Sequence, residues 1–234
     1  MSIPQNTNLK ETHAELTKND EKVQSLASSH YSKPASAERI NAAKAALEAN
    51  GFKVYVVNTR ADAFEAVKNL IPTGKSINNA HSTTLEEIGF ITYIKGETPW
   101  KNVHGDILAE KDPVKQAELR RTAGSTVDYY LTSVASITET GHLTHGDLSG
   151  SKVGGVAFGS ANVIVVAGSN KIVKDELEAW KRQEEYALPL ESARVRIAYG
   201  LPASAITHYE VIRKANPFNA NRIQVIIVNE ALGY

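Results

Sequence analysis

"AERINAAKAALEANGFKVYVVNTRADAFEAVKNLIPTGKSINNA", residues 37–80, is the stretch whose reading decides the fold. Its first part is rich in helix formers and ends at Gly51, as a helix with a C-cap does. "FKVYVV" follows as a strand, "RADAFEAVKNLIP" as a helix stopped at Pro72, and "SINNA" as a short second strand. This rhythm predicts a parallel sheet with helical crossovers, and ligand sites at the carboxyl ends of its strands.

Toward the C-terminus, "DPVKQAELRRTAG" (112–124) predicts a helix opened by Asp112-Pro113, and "TVDYYLTSV" (126–134) the next strand. "TGHLTHGD", "SKVGGVAFG" and "NVIVVAG" then read as short, glycine-punctuated strands of a mixed sheet. "KDELEAWKRQEEYALPL" (174–190) reads as a long helix and "RIQVIIVNEALGY" (222–234) as a buried strand. Toward the N-terminus, "SKPAS" (32–36) breaks the chain. Residues 1–34 are polar, with weak helical spacing at Leu9, Leu16 and Leu26, and are expected to form a helical arm outside the core. Residues 35–234 form the α/β domain in this reading. Helices on such arms often pack on a partner subunit, so a homo-oligomer is expected.

The chain of 234 residues is long enough to bury a substantial core, and 42% hydrophobic with 22% charged residues is an ordinary globular composition. Lys plus Arg and Asp plus Glu are both 26, so no electrostatic feature points to nucleic acid. The absence of cysteine excludes disulfides, a thiolate nucleophile and an iron–sulfur cluster on cysteine. No apolar run approaches the roughly 20 residues that span a bilayer, so a soluble, cytoplasmic protein without membrane partners is the expectation.

Three loops carry candidate chemistry. In "NNAHSTTLEEIGF" (78–90), Thr83 with Glu86 and Thr84 with Glu87 both fit the capping-box spacing. The same strand-to-helix turn, at Ser82, Thr83 and Thr84, also suits an anion. In "ITETGHLTHGDLSGSK" (137–152), Glu139 stands at a strand-to-turn corner. His142, His145 and Asp147 follow, and His145 and Asp147 share a strand face. Two imidazoles with a carboxylate suit a metal or an acid–base set, although histidines on hairpins are most often solvated. In "VVAGSNKIVKDELEAW" (165–180), Gly168, Ser169 and Asn170 form a turn between strand and helix that suits an anion, but it is neither a Walker A loop nor a dinucleotide fingerprint. Lys171 faces either a ligand or solvent, and its context favours solvent.

Together these stretches resemble the lactate-utilisation (LUD) domain family. The motifs are "STTLEEIG" (82–89), "SITETGHL" (136–143), "DLSGSKV" (147–153), "VIVVAGSNKIV" (163–173) and "RIQVIIVNEALGY" (222–234). The resemblance runs from about residue 40 to the end and implies a Rossmann-like mixed α/β sheet sandwiched by helices, like sugar isomerases and CoA-transferases. Related bacterial proteins often carry a cysteine-rich segment before the last strand. Here that segment reads "YGLPASAITHYEVIRKANPFNAN" (199–221), which removes the basis for a cluster there. His81, His142 and His145 stand where the family pattern has other residues.

The resemblance and the loops imply an enzyme acting on a small anionic metabolite, a hydroxy or keto acid or a sugar-acid derivative, by isomerisation or hydrolysis. Ser82, Thr83, Thr84, Gly168, Ser169, Asn170 and Lys171 would bind the anion. By analogy with the "E-x-G" turn of CoA-transferases, Glu139 would be the base or nucleophile. His81 and His145 would assist it. His81, His142, His145 and Asp147 would hold a divalent metal (zinc, iron or manganese) or supply the proton shuttle. A shared metal requires nitrogens of His81 and His145 within about 4 Å of one another. The alternatives are a non-catalytic assembly or sensing subunit of a lactate-oxidation system, which needs an apolar docking face, and a dimeric structural protein with solvated histidines.

Overall fold

The strands that read as uninterrupted apolar runs, "VIVVA" and "IQVIIV", are buried on both faces, which places them at the centre of a sheet. The computed structural model describes residues 20–234. Among the described residues ten strands occur in chain order: β1 (Lys53–Val57), β2 (Ser76–Asn79), β3 (Lys101–Asn102), β4 (Tyr129–Thr132), β5 (Ser136–Thr138), β6 (Leu143–Asp147), β7 (Asn162–Gly168), β8 (Ile172–Val173), β9 (His208–Ile212) and β10 (Ile223–Val228). Six of them form one sheet in the order β1-β10-β7-β4-β2-β3. Every pairing in that sheet is parallel.

Alternation along β7 and β10 feeds two cores. Val163, Val165, Ala167, Val225 and Ile227 meet Ile40, Ala43 and Leu47 of the Ala37–Ala49 helix, together with Ile137, Leu143 and Ile172. Ile164, Val166, Ile226 and Val228 meet Ala63 and Val67 of the Arg60–Leu70 helix, with Leu85, Ile88 and Phe90. Each fully buried Val, Leu, Ile or Phe among them contributes about 1.5–3 kcal/mol of transfer free energy. The cost of ordering the chain offsets most of that sum.

The mixed sheet expected from the glycine-rich middle is a separate layer of four strands, β8-β5-β6-β9. It joins β5 to β6 and β6 to β9 antiparallel, and β5 to β8 parallel. One face of the main sheet is therefore covered by this second sheet as well as by helix. The cysteine-free segment before the last strand supplies β9, which pairs along the whole of β6.

"SKVGGVAFG" is not a strand. Residues Ser151–Gly154 are α-helical and Gly155–Gly159 form a π turn. Side chains distant in sequence hold this conformation. Asp147 accepts from the amides of Lys152 and Val153 at the start, and Arg222 donates to the carbonyls of Gly155, Val156 and Ser160 at the end.

Of the expected arm, residues 1–19 lie outside the described residues. The remainder forms the Glu21–Ala27 helix and the His30–Ser32 turn and adds no strand. Val23 and Tyr31 pack on Val173, Ala179, Tyr186, Leu190 and Ala193, a small cluster apart from the two main cores.

Candidate active site at the carboxyl ends of the parallel strands

Chain leaving β7 makes a single 3-10 turn, Ser169–Lys171, before entering β8. That reversal turns Lys171 inward, and only 2% of it is exposed. Its Nζ donates to Thr84 Oγ1 at 3.0 Å and to Ser133 Oγ at 3.0 Å. Thr84 follows the carboxyl end of β2, and Ser133 that of β4. Three neighbouring parallel strands thus deliver one amine and two hydroxyls to one point. No carboxylate lies within ion-pair distance of Lys171 among the described residues. Burial pushes its pKa well below that of an ordinary lysine. The cations Arg182 and Lys152 add to the effect, and Glu87 opposes it.

The solvated reading of Lys171 is therefore corrected, and so is the capping role of the threonines. The Thr83–Glu87 helix is capped by Ser82, whose Oγ accepts from the Leu85 amide at 3.2 Å. That leaves Thr83 and Thr84 one and two positions inside the helix. Thr84 Oγ1 takes Lys171, and Glu87 Oε2 accepts from the Gly233 amide at 2.8 Å.

Segment 229–234, leaving the carboxyl end of β10, closes over this point. Asn170 holds it by accepting from the Leu232 amide at 3.0 Å and donating to the Gly233 carbonyl at 3.1 Å. The Ser169 amide donates to the Glu230 carbonyl at 3.0 Å, so it is engaged by the protein rather than free for an anion. Gly233 has φ +56°, and a Cβ there would stand 2.4 Å from Thr84 Oγ1 and 3.3 Å from Lys171 Nζ. Tyr234 donates to Glu191 Oε2 at 2.7 Å. Glu191 also receives Arg194, with Nε on Oε2 at 2.8 Å and Nη2 on Oε1 at 2.6 Å.

His81, on the loop between β2 and Ser82, is exposed. The charges of Arg194, Glu191, His104 and Lys152 nevertheless reach it. Desolvation first, and then Arg194, push its pKa down to about 4. His81, Ser82, Thr83, Thr84, Gly168, Ser169, Asn170 and Lys171 thus line one end of the sheet.

The second loop lies elsewhere. Glu139 sits on the turn between β5 and β6 and pairs with Arg39, Nε to Oε1 at 2.5 Å. In the β5–β8 ladder Glu139 is three residues beyond the level of Lys171, on the order of 10 Å along the strand. His142 Nδ1 stands 2.8 Å from Glu176 Oε1. His145 is buried on β6 with Nε2 2.9 Å from Glu210 Oε2, across the β6–β9 pairing. Asp147 accepts from the amides of Ser149, Lys152 and Val153.

The expected metal set of His81, His142, His145 and Asp147 does not assemble. Among the described residues no group of three or more such side chains is placed to hold a metal ion. The physical reason is that these donors have separate commitments, His142 and His145 to carboxylates of other elements and Asp147 to a helix start. Sequence reading missed Arg182, Lys152, Glu191 and Arg194 as neighbours of the site: Arg182 sits in a charged helical stretch, Lys152 in a stretch that reads as a strand, and Glu191 and Arg194 beyond the helix as read.

Comparisons with known proteins identify the family of this chain. Residues 40–228 match the family model described as the LUD domain. A crystal structure of a DUF162 family protein from Deinococcus radiodurans is 20% identical, with 83% of this chain and 99% of that chain covered, at a TM-score of 0.45. A search of curated proteins finds no match. With more than three quarters of its length matched by the family model, this chain belongs to the LUD domain family.

Proposed function

We propose that this protein is an enzyme acting on a small hydroxy or keto acid, or a sugar-acid derivative, with Lys171 as the acid–base group. Membership of the LUD family suggests involvement in lactate utilisation. The observation that carries the proposal is Lys171 itself, a buried amine with two hydroxyl partners and no acid partner, at the carboxyl ends of β2, β4 and β7. A neutral amine has two N–H groups and one lone pair. Thr84 and Ser133 take the two N–H groups, which leaves the lone pair as the base. Once it has taken a proton from the substrate, the ammonium becomes the counter-charge to the anion it has created. Lys152, half-buried and without an ion pair among the described residues, adds positive potential.

Proton exchange tests this directly. The protein, held in deuterium oxide with a panel of hydroxy and keto acids, is expected to wash deuterium into the carbon next to the carbonyl or hydroxyl of its substrate. Proton NMR reads the lost signal, and Lys171→Met is expected to abolish it. No exchange beyond that of the Lys171→Met variant, for any member of the panel, would count against the enzyme.

A second reading, a non-catalytic subunit of a lactate-oxidation system, is favoured by one observation. Phe158 and Phe218 are 88% and 97% exposed, at the amino end of the main sheet. Arg222 links their two segments, donating to the Val156 carbonyl while its amide donates to Asn219. An exposed aromatic pair of this kind suits a docking face.

A further inference from the structure

Arg182 is the last residue of the Glu176–Arg182 helix and is 0% exposed. Its Nη1 donates to the Ala135 carbonyl. The guanidinium stands 5.8 Å from the ring centroid of Tyr31 and 5.0 Å from that of Tyr186. Nε and Nη2 are buried and have no hydrogen-bond partner among the described residues. Leaving a guanidinium edge desolvated and unanswered is expensive, so folded proteins rarely keep one without a use.

Other arginines of this protein show what that edge does. Arg194 sets Nε and Nη2 on the two oxygens of Glu191 at 2.8 and 2.6 Å. Arg213 does the same to Glu176 at 2.7 and 2.9 Å. The two N–H groups of this edge point the same way at the spacing of a carboxylate's oxygens. Arg182 presents the same fork with no acid opposite it.

Its position is next to the amine. The Ala135 carbonyl that anchors Arg182 and the Ser133 hydroxyl that receives Lys171 belong to one short connection between β4 and β5. They are two residues apart, roughly 7 Å along an extended chain. Ser169 Oγ, in the same turn as Lys171, is also buried without a partner. In a 2-hydroxy or 2-oxo acid the carboxylate and the reacting carbon are adjacent, which matches two anchors this close together.

We propose that the Nε–Nη2 edge of Arg182 is the carboxylate subsite, holding a small hydroxy or keto acid by its carboxylate while Lys171 meets the neighbouring carbon. The inference rests on the reading of Lys171 as the reacting group and adds what orients the substrate against it. This edge is buried, so an anion there feels an attraction that solvent does not dilute.

Acetate, a carboxylate with nothing for Lys171 to act on, isolates the Arg182 half of the site. At constant ionic strength, acetate is expected to raise the Tm of the wild type and of Lys171→Met, and acetamide to raise neither. Arg182→Met is expected to lose the acetate response while its ligand-free Tm holds or rises, because an unpaired buried charge gives way to a hydrophobe. Arg182→Lys keeps the charge without the fork. It is expected to weaken acetate roughly 100-fold, and it carries the test if the methionine variant does not fold. An acetate shift that is absent from the wild type, or unchanged in Arg182→Met and Arg182→Lys, overturns the inference. Failure of the Lys171 reading looks different: the acetate responses appear as expected, while deuterium exchange is the same in Lys171→Met as in the wild type.

Discussion

Lys171 Nζ and Thr84 Oγ1 lie 3.0 Å apart although 87 residues separate them in the chain. The contact ties the loop after β7 to the loop after β2, with Ser133 after β4 completing the triangle. A lysine that serves only as a tether ordinarily finds a carboxylate or keeps its head in water. This one does neither.

Stability should therefore depend on pH through Lys171. Burial lowers its pKa from an ordinary value of 10.5, so in the intervening pH range the unfolded chain binds a proton that the folded chain does not. Where the unfolded state binds more protons, stability rises with pH. The wild type should gain stability relative to Lys171→Met as pH rises from the lowered pKa toward 10.5. Parallel urea titrations across pH check this, and identical pH profiles for the two proteins would contradict it.

His81 should titrate far below an ordinary imidazole. Desolvation and Arg194 hold it at about 4 against an ordinary 6.5, so at neutral pH it is uncharged and accepts or relays a proton rather than attracting an anion. The folded state again binds fewer protons in this window. Stability should fall as pH drops from about 6.5 toward about 4, and His81→Gln should flatten that decline. Imidazole NMR titration reads the midpoint directly. A midpoint near 6.5 would show that neither desolvation nor Arg194 acts on His81.

The lacing of segment 229–234 predicts a sensitive glycine. A Cβ on Gly168 would stand 2.4 Å from Asn170 Oδ1, 2.5 Å from the Leu232 amide and 2.8 Å from the Glu230 carbonyl. Gly168→Ala should cost about 1–3 kcal/mol by overpacking, and Asn170→Ala a similar amount by leaving the Leu232 amide without its acceptor. Both should also lower activity, since both loosen the segment that covers Lys171. Denaturant midpoints check the first part, and unaltered midpoints would show that the segment is not anchored there.

Glu139→Gln separates the two candidate bases. Glu139 is engaged by Arg39 on the β5–β6 turn, so its replacement should leave activity within about tenfold of the wild type. A general base lost from the reaction would cost roughly a hundredfold or more. A loss of that size would move the base from Lys171 to Glu139.

The legible parts of the fold were those with local periodicity. The helix ending at Gly51, the strand 52–57 and the Asp112-capped helix at Pro113 follow from their own residues, and the structure holds each within a residue or two. "SKVGGVAFG" was not legible because Asp147 and Arg222, which keep it helical, lie outside it. The capping-box spacing points to Thr83 and Thr84, yet Ser82, which has no acidic residue three positions on, is the cap, and Thr84 is instead engaged by Lys171 from the turn after β7. Lys171 read as solvated, and Arg182 drew no reading of its own, because burial of a cation is decided by which strands become neighbours, and short segments carry no mark of that. Histidine spacing misled for the same reason. His142 and His145 find Glu176 and Glu210, carboxylates that only the tertiary fold brings near.

The most direct test of Lys171 as a buried neutral amine at a substrate site is calorimetric titration of hydroxy and keto acids in buffers of differing ionisation heat. A bound anion raises the pKa of Lys171, so binding to the wild type should take up a proton and weaken as pH rises, and Lys171→Met should lose both the uptake and most of the affinity. Equal affinity in the two proteins, with no proton taken up by either, would contradict the account.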